Sequence, residues 1–347
     1  MKKLINAKIL IVGGAGFVGS NLVFKLLNYK IKNIYIIDNL LSADLSNIPK
    51  DKRVIFFKGS VTNQNILKRI PNDINFIWHL ACYHGNQASI INPLKDHENN
   101  LFTTLRLYEY IKKFKNLVKV VYSSAGCSFA EKTYDQPIAT DEKYYSSLYQ
   151  DSPYSISKLA GDIYSLYYHR SHNLPVVIAR FQNVYGEREI LGAGKWRGHI
   201  STVWRNVIPT FIWQALNNYE LKLENSGENS RDFIHVSDIV NGLILCAVNG
   251  KEGKVYNLGT GKETKIRDLA TKTINYTKST SKIIYLPQRL WDTSGRRFAS
   301  IKNSKINLGF SCKINIDKGL KQTIQWSIKN KDLIKKNILK HKKYLKL

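Results

Sequence analysis

Short apolar runs alternate with longer amphipathic stretches through the first half of the chain. Lys8–Val12, Ile34–Asp38, Val54–Lys58, Phe76–Leu80 and Val118–Ser123 are read as strands. Between them Gly19–Leu27, Asn63–Arg69 and Leu101–Phe114 carry apolar residues at helical spacing. This alternation predicts a parallel sheet covered on both faces by helices. A long helix from about Pro153 to His172 leads into a further buried strand, Val176–Phe181.

The pattern loosens after Gly186. A loop rich in glycine and charge, Glu187–His199, precedes a helical stretch at Pro209–Asn217. Asp232–Val236 and Val255–Leu258 are expected to return to the main sheet, with Val240–Val248 helical between them. From Lys265 onward the short segments suit a smaller domain. No internal repeat or low-complexity linker separates the parts, so the two domains are expected to interleave.

Composition narrows the class. Hydrophobic residues make up 43% of the 347 positions, enough for a substantial core. No apolar stretch reaches the roughly 18 residues that a membrane-spanning helix needs. The basic start, Met1–Asn6, runs straight into a strand with no small-residue cleavage site, so no signal peptide is expected. Cys82, Cys127, Cys246 and Cys312 form no CxxC pair, which argues against a zinc site and for a reducing compartment, the cytoplasm. The formal charge of +27 raises nucleic-acid binding as a possibility. The lysines are scattered, however, except in Lys329–Lys346, where Leu333, Ile334, Ile338 and Leu339 recur at helical spacing. A terminal amphipathic helix with a solvated basic face accounts for that density, and neither a nucleic-acid nor a membrane partner is expected.

The chemistry begins at the first strand. Ile9–Val12 is followed by Gly13-Gly14-Ala15-Gly16-Phe17-Val18-Gly19, which contains Gly-x-Gly-x-x-Gly between a strand and a helix. Missing side chains allow a tight turn and close approach of a pyrophosphate, which the next helix N-terminus favours. The second strand ends in Asp38, a carboxylate suited to accepting both ribose hydroxyls of an adenosine and to repelling a 2′-phosphate. The expected cofactor is therefore NAD rather than NADP. The fold class is α/β: a Rossmann doubly wound parallel sheet with a smaller α/β substrate-binding domain. Residues 1–185 are assigned to the first, with 232–260 returning to it, and 186–231 with 261–347 to the second.

Tyr154-Ser155-Ile156-Ser157-Lys158 opens the long helix and sets Tyr154 and Lys158 on one face. A free tyrosine, with a pKa of about 10, is a poor base at neutral pH. A neighbouring ammonium and a positive nicotinamide ring favour its phenolate. Tyr-x-x-x-Lys is common by chance. It gains meaning after a glycine-rich start and a strand ending in Ser123-Ser124.

Together these motifs resemble the extended short-chain dehydrogenase/reductase class, in particular the NAD-dependent nucleotide-sugar epimerase/dehydratase family. The likeness extends through His79-Leu80-Ala81, Asn100, Arg180–Gly186, Arg231-Asp232-Phe233 and Tyr256-Asn257-Leu258-Gly259. It implies that the tyrosine takes a proton from a sugar hydroxyl while its carbon gives hydride to NAD. The lysine tunes the tyrosine and holds the nicotinamide ribose. It further implies that Gly13, Gly16, Phe17, Val18, Gly19, Asp38, Asn39, Leu80, Ala81 and Asn100 hold the cofactor with Tyr154 and Lys158. Asn183 and Arg231, with Arg296 or Arg297, are implied to hold the substrate diphosphate, an anion that suits an arginine fork. Arg197, in the loop Gly192–Gly198 beside Trp196, offers a cation that either grips the sugar or a second phosphate, or packs against a neighbouring subunit.

Two departures bear on the reaction. Ser123–Ala130 lacks the usual Ser/Thr-x-x-Val-Tyr-Gly. An ungapped register puts Ala125 at the hydroxyl position, and a one-residue shift restores Ser124, which is preferred with Ser123 in reserve. Cys127 faces the sugar or is a buried neutral thiol. The 4,6-dehydratase branch places two acids after its threonine; here Ala125 and Gly126 stand there, and Glu131 is too far along. The expected activity is oxidation at C4 of a UDP- or GDP-linked sugar, giving a 4-keto intermediate and most commonly 4-epimerisation. The alternative is net 4-dehydrogenation, for example of a GDP-heptose in bacterial surface polysaccharide synthesis. A non-catalytic NAD- or nucleic-acid-binding role is the rival from another class. Relatives pair through a four-helix interface, so a homodimer or homotetramer through Leu101–Phe114 and Pro153–His172 is expected.

Overall fold

The computed structural model describes residues 2–129, 138–143, 147–292 and 295–345. Its first half interleaves strands and helices. β1 (Lys8–Val12), α1 (Phe17–Leu26), β2 (Asn33–Asp38), β3 (Val54–Lys58), α2 (Gln64–Leu67) and β4 (Phe76–His79) come first. Then follow α3 (Asn86–Ile91), α4 (Pro93–His97), α5 (Thr103–Ile111), β5 (Lys119–Ala125), α6 (Pro153–His172), β6 (Val176–Phe181) and β7 (Asn183–Tyr185). The second half runs α7 (Val207–Leu216), β8 (Leu221–Glu224), β9 (Ser230–Arg231), β10 (Phe233–His235), α8 (Val236–Asn249), β11 (Val255–Leu258) and β12 (Thr264–Lys265). It ends with α9 (Ile266–Thr277), β13 (Ile283–Leu286), β14 (Arg296–Arg297), α10 (Lys302–Leu308), α11 (Ile316–Lys329), α12 (Lys331–Leu339) and α13 (Lys342–Leu345).

Seven strands form one parallel sheet in the order β11-β6-β5-β4-β1-β2-β3. Because chain order reverses between β1 and β4, the loops after these two strands part and leave a crevice at their C-terminal ends. Each sheet face carries its own apolar layer. Leu22, Val23 and Leu26 of α1 pack with Leu243, Ile244 and Ala247 of α8 on one side. Leu107, Tyr108 and Ile111 of α5 pack with Tyr168 of α6 on the other. Strands buried on both faces explain the near-continuous apolar runs.

The long helix α6 is well delimited. Ser152 caps its first turn by accepting from the Ser155 amide at 3.3 Å, and Pro153 fills the first helical position, where no amide donor is needed. Asn173 ends it in a left-handed conformation with φ of 53°.

The smaller part wraps a separate core in which Phe211 and Ile212 of α7, Leu269 of α9 and Leu320 of α11 meet Leu221 and Leu223 of β8. Here the structure upholds one expectation and corrects another. Val255–Leu258 does join the main sheet beside β6, but Phe233–His235 pairs instead with β7 in a separate two-stranded sheet. Asp232 explains the detour. Its buried carboxylate accepts from the amides of Thr260 and Gly261 at 2.8 and 3.0 Å, tying the strand to the loop after β11. The expected helix Leu101–Phe114 is preceded by a π-helical turn, Glu98–Phe102, and by the unforeseen α3 and α4. The basic tail forms α12 and α13 rather than one helix; Ile334 and Ile338 are buried and Leu339 is exposed. No helix among the described residues is long and apolar enough to cross a membrane.

Candidate active site

A cleft of about 490 Å³ runs from the glycine turn after β1, past the N-terminus of α6, to β9 and the segment 289–292. At its sheet end the backbone itself is the binding surface. Gly13 has φ of +86°, and a Cβ there would lie 2.5 Å from the Ala81 amide nitrogen. A Cβ on Gly19 would run into the Gly13 carbonyl. Both positions therefore demand glycine, because the turn, the helix and the loop after β4 touch through their main chains. Asp38 closes this end: its carboxylate accepts from the Ala15 amide at 3.0 Å and the Leu40 amide at 2.8 Å while still lining the cleft. A cradle that a Cβ would fill, next to a carboxylate with spare acceptor capacity, fits a dinucleotide with a free ribose diol. Gly16, Phe17, Val18, Asn39, Leu80 and Ala81 line the same end.

At the middle of the cleft the first turn of α6 presents Tyr154, whose own amide donates to Ser89 Oγ at 3.1 Å. Its ring meets the His84 ring edge-on, with centroids 5.9 Å apart. Burial, and then the nearby thiols of Cys82 and Cys127, push its phenol well above the usual range. The expected phenolate is thus not the resting state of the chain without cofactor. Lys158, one turn on, is buried and donates to the Ser123 carbonyl at 2.8 Å.

The two candidate hydroxyls point apart. Ser123 Oγ donates to the His79 carbonyl at 2.9 Å. Ser124 Oγ is sealed and makes no hydrogen bond of full geometry, although it is close enough to Asp162 of α6 to help hold that carboxyl ionised. Cys127 lines the cleft and its sulfur accepts from Ser155 Oγ at 3.6 Å. Ala125 also lines it, where the dehydratase pattern would put an acid; Glu131 lies outside the described residues.

At the far end Arg231 lines the cleft with its guanidinium fixed. It donates to Asp292 Oδ2 at 2.7 Å and to the Ser230 and Gly295 carbonyls at 2.8 Å. Asn183, exposed at the start of β7, and Arg297 line it too.

Three expected site residues stand outside this lining. Asn100 is buried behind the wall, accepting from the Tyr83 amide at 2.7 Å and donating to Asp96 at 2.7 Å, so it holds the loop after β4 rather than reaching the cleft. Arg197 sits over the Tyr83 ring and donates to the His84 carbonyl at 2.9 Å. Arg296 is bound to Glu263, and its neighbour Arg297 takes the cleft position because successive strand residues face opposite sides.

Conversely, the cleft contains His84, Glu189, Arg205, Asn206, Lys222, Arg289 and Trp291, which no motif marked. Burial holds Arg205 down at about 9 and Glu189 up at about 7. No local pattern sets this group apart in the sequence: Glu189 lies in the charged run Glu187-Arg188-Glu189, and Lys222 lies between Glu220 and Glu224.

The NAD dependent epimerase/dehydratase family model matches residues 9–259. The chain belongs to this family. It is an enzyme of the family and its cofactor is NAD. The chain is 49% identical to the Bordetella bronchiseptica enzyme WbmF, solved in complex with NAD+ and UDP, over 99% of each chain with a TM-score of 0.89. It is 29% identical to a putative UDP-glucose 4-epimerase of Methanocaldococcus jannaschii over 93% of this chain and 99% of that one. A dTDP-glucose 4,6-dehydratase of Streptomyces venezuelae, DesIV, solved with NAD bound, is 25% identical over 94% and 98% of the two chains, with a TM-score of 0.84.

Proposed function

We propose that this enzyme oxidises C4 of a UDP-linked sugar to a 4-keto intermediate and returns the hydride to the opposite face, acting as a nucleotide-sugar 4-epimerase. The observation that carries this reading is Tyr154 at the middle of one continuous cleft, between the glycine cradle and a fixed arginine. NAD supplies the hydride acceptor and donor. Tyr154 takes the proton of the C4 hydroxyl and gives it back after the sugar has turned. The buried ammonium of Lys158, fastened to β5, favours the phenolate form in which Tyr154 can take that proton. Ser124, on the strand that α6 covers, is the preferred partner of the reacting oxygen. Asn183, Arg231 and Arg297 hold the diphosphate; Arg231 is pre-oriented by Asp292 and so loses little freedom on binding. Ala125 and Gly126 carry no proton, so the water loss of a 4,6-dehydratase has no acid or base at these positions.

UDP is favoured over GDP because WbmF, nearly half identical over almost the whole chain, was solved with UDP. Pairing through α6 is part of the same reading. Ile156, Ile163 and Tyr167 are 56%, 60% and 51% exposed at helical spacing on this helix, an apolar stripe that a second copy would cover.

The test is incubation of the NAD-loaded enzyme with UDP-hexoses and UDP-N-acetylhexosamines, following the sugar by NMR and the reduced cofactor by absorbance. A C4 epimer without net reduced cofactor supports the reading. A 4-keto product with reduced cofactor accumulating replaces epimerisation with net dehydrogenation.

A further inference from the structure

Beside the tyrosine, three polar residues from three separate segments meet at the wall of the cleft. His84 follows β4, Glu189 lies in the loop after β7, and Asn206 caps α7. Asn206 Nδ2 donates to Glu189 Oε1, and His84 Nε2 lies 3.0 Å from Asn206 Oδ1. The line has a direction. Whether ionised or carrying its proton on the sealed Oε2, Glu189 offers Oε1 as an acceptor, so it takes the amide NH2 of Asn206 and turns the Asn206 carbonyl toward the imidazole. The imidazole must then carry its proton on Nε2. Burial, with the cations Arg197 and Arg205 nearby, lowers the tendency of His84 to protonate, while Glu189 opposes this. The ring is therefore neutral, and Nδ1 is left as an acceptor. Nδ1 makes no hydrogen bond among the described residues and is not sealed from solvent. Its ring stands edge-on to Tyr154. Arg197 fixes the peptide that carries it, through the His84 carbonyl.

We propose that His84 is the sugar-recognition residue of this cleft, accepting a hydroxyl or amide hydrogen of the hexose on Nδ1, and that Glu189 acts through Asn206 as a positioning residue that fixes the required tautomer. The inference rests on the reading of the cleft as a UDP-sugar site. Other cleft carboxylates are engaged elsewhere: Asp38 with the glycine turn, Glu224 with Arg289 and Asp292 with Arg231. Glu189 Oε2 is sealed and without a partner, so Glu189 has no outlet to the ligand except through Asn206. The donor that His84 accepts belongs to a carbon near the one oxidised, because Tyr154 and His84 are in ring contact.

Two measurements on the NAD-loaded protein test this. Nitrogen-15 spectra of the histidines are expected to show His84 with its proton on Nε2. Glu189→Met, which removes the acceptor, mixes the tautomers, and Glu189→Gln, which keeps an amide oxygen for Asn206, restores the wild-type pattern. Titration calorimetry with UDP, UDP-glucose and UDP-N-acetylglucosamine reads the sugar contact. His84→Phe keeps the ring but not the acceptor. It is expected to weaken the preferred UDP-sugar about tenfold, one hydrogen bond's worth, and UDP by less than about twofold. Loss confined to UDP-glucose assigns a hydroxyl, and loss confined to UDP-N-acetylglucosamine assigns the amide. A wild-type His84 protonated on Nδ1, or sugar affinity unchanged in His84→Phe, overturns the proposal. So do wild-type affinities for both UDP-sugars no better than for UDP. UDP-sugars that bind through His84 but are never oxidised leave this assignment standing and remove the C4 mechanism instead.

Discussion

The ammonium of Lys158 donates to the main-chain carbonyl of Ser123 at 2.8 Å, which fastens the cation of α6 to the C-terminal end of β5. Ser123 Oγ, 3.5 Å from the same nitrogen, is itself committed to the His79 carbonyl. The strand thus fixes where the positive charge sits, while the helix sets Tyr154 one turn away. Removing the charge in Lys158→Met should raise the pH at which Tyr154 ionises in the NAD-loaded enzyme. It should also lower turnover on the order of 10²-fold. Ultraviolet titration of the phenol alongside the pH–rate profile checks both. Equal profiles for variant and wild type would separate Lys158 from the tyrosine.

The serines can be told apart. Ser123→Ala removes a bond to the His79 carbonyl and a neighbour of Lys158, and should destabilise the fold by about 1 kcal/mol while retaining most activity. Ser124→Ala loses no hydrogen bond of full geometry in the cofactor-free chain, so its stability should be near wild type while its turnover falls on the order of 10²-fold. Urea melts and kcat for the two variants decide between them. The opposite ranking transfers the role to Ser123, and full activity in both points to Cys127 or the main chain.

Much of this was legible before the fold was seen, and the exceptions have a common cause. Gly13–Gly19, Asp38, Tyr154 and Lys158 were readable because local spacing alone dictates their chemistry: a turn, a strand end and one helical face. The bounds expected for α6, Pro153 to His172, are also those observed. Asp232–Val236 was misplaced because its apolar pattern suits any strand, and only the long-range bonds of Asp232 to the loop after β11 send it to β7. Arg296 and Arg297 differ by one residue, and pleat direction, which no motif encodes, decides which one faces the cleft. His84 is 122 residues from Asn206, and Glu189 is 17 from Asn206 across an irregular loop, so no local pattern could announce them.

Glu189 should leave a mark on stability. Its folded pKa of about 7 exceeds the ordinary 4.5 through burial. Between those values the folded chain holds a proton that the unfolded chain has released, so stability falls as pH rises from about 4.5 to 7. Glu189→Gln removes this slope. In urea denaturation without nucleotide the variant should gain on wild type by up to about 3 kcal/mol at pH 8 relative to pH 4. A difference independent of pH would show that Glu189 titrates normally.

Arg231→Ala combines a binding loss with a structural one. UDP affinity should fall about 10- to 100-fold, as expected for a charge-assisted contact. The buried Arg231–Asp292 ion pair is broken, which should destabilise the protein by about 3 kcal/mol. Calorimetry with UDP and a thermal melt separate the two effects. Unchanged UDP affinity would take Arg231 out of the diphosphate site.

The central claim is that hydride leaves and returns at C4. The most direct measurement uses the UDP-sugar that the enzyme converts, deuterated at C4, with NAD-loaded enzyme in ordinary water. The product is read by proton and deuterium NMR, with Tyr154→Phe as the inactive control. The account predicts inversion at C4 with the deuterium still attached to that carbon. Loss of the deuterium to water, or inversion at another carbon while C4 keeps its configuration, would contradict it.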